Sequence, residues 1–166
     1  GAMPVAVAAD WLTSAWDQNA QVFATSPAAA VVEEIVAAWL LDLLGLPADS
    51  SVGFVTGGQM ATFTALVVAR DAVLAQVGWD VATSGLAGSP PLRVLVSDQA
   101  HATVGTALSL AGIGTSAVHV IPTDGQGRLD VEHLAALLRH QPGPTIICAQ
   151  AGNVNSGAFD PFDRIA

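Results

Sequence analysis

From residue 92 onward, short apolar runs and helical runs take strict turns. Residues 92–96, 117–121 and 145–149 are brief, apolar and rich in Val and Ile, as buried strands are, while 102–110 and 131–140 carry the longer spacing of helices. Strands separated by helices are joined in parallel, because a crossover of that length returns the chain to the same edge of the sheet. This predicts an α/β fold with a parallel sheet covered by helices. Upstream, Ser26-Pro27 followed by Val32, Ile35, Val36, Trp39, Leu40 and Leu43 predicts a helix with a serine N-cap and a first-turn proline, ending at Gly45. Residues 52–55 read as a further short strand, running into a helix over 60–77 that Gly78 closes. Residues 83–91 read as a surface connection, and Asp160-Pro161 as an N-cap and first turn of one more helix.

Composition narrows the function. The 166 residues are 52% hydrophobic and 11% charged, against roughly 25% charged in ordinary soluble domains. Much apolar surface must therefore meet protein. The uncharged stretch from Gln99 to Thr123 is too rich in histidine, glycine and hydroxyl residues for a membrane span. A net charge of −9, with five arginines and no lysine, repels a nucleic-acid backbone. The lone Cys148 lies in the run Thr145-Ile146-Ile147-Cys148-Ala149, reads as a core residue, and is given no catalytic role. No basic-then-apolar leader is visible, and a reducing cytoplasm is expected. No metal site is expected.

In open parallel sheets ligands sit beyond the carboxyl ends of the strands, so the loops there carry the candidates. In Thr56-Gly57-Gly58-Gln59-Met60-Ala61-Thr62, glycines before a helix start suit close approach to a phosphate, or simply a tight turn; neither a dinucleotide fingerprint nor a P-loop is present. Ser97-Asp98-Gln99-Ala100-His101 offers an imidazole that can cover an aromatic ligand or merely satisfy a helix end, with Asp98 an equally simple cap. Gln150-Ala151-Gly152-Asn153-Val154-Asn155-Ser156-Gly157 is a turn rich in amides, which can also hold a phenolic oxygen or a carboxylate.

Together these three strings, with Ala158-Phe159-Asp160-Pro161 after the last and Pro122-Thr123-Asp124-Gly125-Gln126-Gly127-Arg128-Leu129-Asp130 between them, resemble the group II pyridoxal-phosphate (PLP) dependent decarboxylases, relatives of aromatic amino-acid and glutamate decarboxylase. The likeness covers essentially the whole chain, including its Gly-Ala-Met-Pro start. It implies an incomplete large domain of the aspartate aminotransferase-like, fold type I class: three layers around a mostly parallel sheet, with 1–50 a helical lead-in and 51–166 the cofactor cradle. It implies that Gly57, Gly58 and Gln59 offer amides to the cofactor phosphate. It implies that His101 stacks on the pyridine ring and positions the substrate carboxylate, and that Asn153 sits near the ring substituents or the substrate. Met3 and Pro4 fall where the family lines its substrate pocket, and Asn19 and Gln21 where a neighbouring subunit reaches in. The implied activity is release of CO2 from an L-amino acid by a homodimer. The family's Schiff-base lysine and the aspartate for its ring nitrogen have no counterpart in residues 1–166, so the remainder of a longer polypeptide is an expected partner and this chain alone is expected to be inactive. Two alternatives stand beside this reading: a lysine-free pseudoenzyme or metabolite-binding module, and a PLP aminotransferase or lyase of the same fold.

Overall fold

The computed structural model describes residues 2–166; Gly1 lies outside them. The chain divides into two compact units, one ending at Phe54 and the other spanning Val55–Ala166.

The first unit holds α1 (Pro4–Trp16) and α2 (Pro27–Leu44), each with proline in its first turn. Proline is tolerated there because the first amides have no intrahelical acceptor to lose. Gly45, at φ +64°, terminates α2, and the next amide, Leu46, turns back to the Leu41 carbonyl (2.9 Å). Ser26 is fully buried but is not a side-chain cap: its hydroxyl donates to Gln18 Oε1 (2.9 Å), bracing the turn that precedes α2.

The second unit carries α3 (Gly57–Ala75), α4 (Val81–Ser84), β1 (Arg93–Ser97), α5 (Ala102–Leu110), a 3₁₀ turn at Thr115–Ala117, β2 (Val118–Ile121), α6 (Val131–His140), β3 (Thr145–Cys148) and α7 (Phe162–Ile165). The three strands form one parallel sheet in the order β2-β1-β3, with Val94 opposite both Val118 and Ile146. Alternation along β1 sends its side chains to opposite faces. Val94 and Val96 join Leu66 of α3, Ala107 and Leu108 of α5, and Ile146 on one face; Leu95 joins Ile121, Leu129 and Leu134 of α6 on the other, with Ile165 of α7 packed alongside. The sheet is thus sandwiched between helices, the three-layer arrangement expected.

Residues 52–55 are irregular rather than a strand. Phe54 and Val55 are exposed and the segment joins no ladder, so nothing rewards an extended backbone there. The helix expected over 60–77 starts earlier, at Gly57, and α4 occupies part of the connection after it. Among the described residues no helix is long and apolar enough to cross a membrane.

Candidate functional site

The loop leaving β1 is tied to the one leaving β2. The Asp98 amide donates to the Ile121 carbonyl (3.0 Å), and the Asp98 carboxylate accepts from the Thr123 hydroxyl (2.7 Å). Asp98 therefore caps no helix. The cap of α5 is His101, whose Nδ1 accepts from the Thr103 amide (3.2 Å) and lies 2.9 Å from the Thr103 hydroxyl.

The loop leaving β3 is fixed from within and from below. Asn153, buried, accepts through Oδ1 from the amides of Asn155 (2.9 Å) and Ser156 (3.2 Å). Its Nδ2 packs so tightly against Gly127 that a Cβ at 127 would stand 2.7 Å away. Asp160, read from sequence as an N-cap, does something else: its buried carboxylate accepts from the Leu129 amide (2.8 Å) and the Gln150 amide (2.7 Å), joining the loops after β2 and β3. No local signal reveals this, since the partners lie 31 and 10 residues away.

After β1 the chain turns to the α3/α5 face, while after β3 it proceeds to α7 on the opposite face. Loops that part between adjacent strands leave a crevice at their carboxyl ends, the usual ligand position in such sheets. A cleft of about 340 Å³ lies there, between Ser97, Gln99 and His101 on one wall and Cys148, Gln150 and Gly152 on the other, with Thr62 of α3 at its border. That size falls within the roughly 300–1,000 Å³ of small-molecule sites. No charged side chain lines it. Burial pushes the Cys148 thiol up to about 11, so it is protonated at neutral pH and a poor nucleophile. A hollow of about 360 Å³ beneath Thr123 is instead ringed by charges that pair among themselves, Arg128 with Asp124 and Arg164 with Glu132.

The structure brings His101 to the cleft. Asn153 is adjacent, but its neighbours Gly152 and Val154 do the lining while its own carboxamide faces the loop and Gly127. Gly57, Gly58 and Gln59 open α3 one turn before Thr62. The Gly57 amide returns to the Val55 carbonyl (3.0 Å) and no side chain caps the helix, leaving the amides of Gly58 and Gln59 without a protein partner among the described residues. Gln59 Nε2 donates to the Thr103 carbonyl (3.2 Å), linking the start of α3 to that of α5. Met3 and Pro4 are the exposed cap and first residue of α1, and Asn19 Oδ1 accepts from the Gln21 amide (3.1 Å) in an exposed turn; both pairs belong to the first unit.

Residues 2–166 match the family model described as the pyridoxal-dependent decarboxylase conserved domain. The chain belongs to this family. Among curated relatives, the human acidic amino acid decarboxylase GADL1 is 31% identical over 95% of this chain and 30% of the relative. The L-2,4-diaminobutyrate decarboxylase of Rhizobium meliloti is 36% identical over 98% and 32%. Of solved structures, mouse CSAD superposes with a TM-score of 0.83 at 28% identity, covering 99% of this chain and 34% of that one. Oryza sativa TDC with PLP and tryptamine superposes with a TM-score of 0.77 at 30% identity, covering 98% and 35%. The chain thus spans about a third of the length of the relatives it matches. The donors present suit that family's cofactor: free amides at the start of a 19-residue helix for a phosphate, and an exposed imidazole beside a neutral cleft for a ring.

Proposed function

We propose that this chain forms the phosphate and ring side of the PLP site of an amino-acid decarboxylase. The observation that carries this reading is the pair of free amides, Gly58 and Gln59, at the head of a helix tied through Thr103 to the imidazole bordering the cleft. These amides and the positive end of the α3 dipole hold the phosphate. His101 covers the ring and positions the substrate carboxylate, while Asn153 shapes the loop opposite. When bound, PLP supplies the electron sink that accepts the pair left behind as CO2 departs. Val104, Ala149 and Val154 give the cleft apolar walls that limit water around the reacting bond. The Schiff-base lysine comes from polypeptide outside residues 1–166. Met3 and Pro4 line the substrate pocket, Asn19 and Gln21 serve the site of a neighbouring subunit in a homodimer, and the cytoplasm is the compartment, in keeping with a lone thiol.

Titration of the intact polypeptide with pyridoxamine 5′-phosphate, which requires no lysine, tests this reading through the 31P resonance. Saturable binding is expected, weakened about 3–10-fold by His101→Ala through lost ring contact. A phosphate signal that never moves, or binding indifferent to His101→Ala, refutes it.

A further inference from the structure

We propose that Thr103 is a positioning residue that fixes His101 as the tautomer protonated at Nε2, making the imidazole a hydrogen-bond donor toward the cleft. One of the groups that meet the His101 ring has no choice of role. A backbone N–H can only donate, and the Thr103 amide points at His101 Nδ1 from 3.2 Å, so Nδ1 is the acceptor and the neutral ring carries its proton on Nε2. The Thr103 hydroxyl, 2.9 Å from the same nitrogen, can adopt either role and donates once Nδ1 is unprotonated. One residue thus approaches Nδ1 twice, and its carbonyl is gripped in turn by Gln59 Nε2 at 3.2 Å. Among the described residues Nε2 has no protein partner, and His101 lines a cleft without a charged side chain. The ligand chemistry this suits is an anionic oxygen. In a neutral ring of this tautomer Nε2 donates to a carboxylate and has no free lone pair with which to abstract a proton. His101 therefore orients the carboxylate and does not act as a base from the neutral state. The identity of that carboxylate as the α-carboxylate of an amino acid rests on the proposed function; the tautomer does not.

The test uses the intact polypeptide labelled with 15N-histidine. Long-range 1H–15N correlation reads each ring, and His101→Gln identifies the His101 signals. The expected pattern is an unprotonated Nδ1 and a protonated Nε2, retained in Thr103→Ser; Thr103→Val keeps the amide but loses the hydroxyl, the second donor to Nδ1, and should relax the preference in part, to a measurable Nδ1–H population. A second readout compares pyridoxamine 5′-phosphate with N-phosphopyridoxyl-L-alanine, which adds the carboxylate. Thr103→Val should weaken only the second probe, about 3–10-fold for one lost orienting bond, and Thr103→Ser should restore it. An Nδ1–H tautomer in the unaltered protein, or a Thr103→Val that changes neither the ring pattern nor the selectivity between probes, overturns the proposal. If neither probe binds while the ring pattern responds to Thr103 as described, the cofactor reading falls and the tautomer assignment stands.

Discussion

Asp160 holds two amides at once, the Leu129 one buried and the Gln150 one partly so, and its removal strands both donors. An unsatisfied buried group costs about 1–3 kcal/mol, and Asp160→Ala should lower unfolding stability by about 2–4 kcal/mol, read from the urea midpoint. Asp160→Asn, which keeps one acceptor, should cost less. An alanine variant as stable as the parent would show that the carboxylate is dispensable. Asp-Pro is legible as a helix start, but the carboxylate's true partners are remote in sequence and appear only once the sheet has brought the loops together. For His101 the sequence reading of a helix-end residue holds, while its acceptor role at Nδ1 depends on how the ring turns toward the Thr103 amide, which the sequence does not show. Cys148 yields a pH prediction. Its folded pKa is raised by burial from 9.0 to about 11, so the stability it contributes is intact below the unfolded value and is lost as pH rises through the folded one. Alkylation by iodoacetamide should be slow at pH 7 and accelerate as pH climbs above 9. Rapid labelling at neutral pH would contradict the burial.

At the scale of elements, the strands and helices after residue 92 were readable to within about a residue because pattern and packing agree: β1 is buried on both faces and α6 on one. Residues 52–55 misled because a short apolar run is a strand only where a partner receives its hydrogen bonds, and partners are not written in the run itself. The turn at Gly127 belongs to the same class of hidden constraint. It combines φ +78° with a Cβ position 2.7 Å from Asn153 Nδ2, and the asparagine cannot retreat without surrendering Asn155 and Ser156. Gly127→Ala should therefore cost more than the ~1–2 kcal/mol of a left-handed alanine and should speed hydrogen exchange at the Asn155 and Ser156 amides. Unchanged protection of those two amides would place the strain elsewhere.

Over the whole molecule, the low charged fraction reappears as surface. Trp11, Trp16 and Trp39 are each about 70% exposed, as are Val5 and Leu43 or more so, all in the first unit. Apolar side chains in such number favour association, and sedimentation velocity should show mass increasing with concentration at micromolar levels. A monomer unchanged over a hundredfold dilution series would refute this. The greasiness was plain in the composition; which helices display it was not, because an apolar stripe such as Val32, Ile35, Val36, Trp39, Leu40 and Leu43 does not itself say whether a neighbour covers it.

The strand order carries a consequence for synthesis. β1 occupies the centre of the sheet yet is translated first, and both neighbours that cover its edges follow it on the ribosome. At about 5–20 residues per second, Val94, Leu95 and Val96 wait several seconds before β3 emerges, and the Asp160 bridge later still. The nascent chain thus passes through a stage in which its most buried strand is its most exposed, a natural point of engagement for a chaperone that grips extended apolar segments.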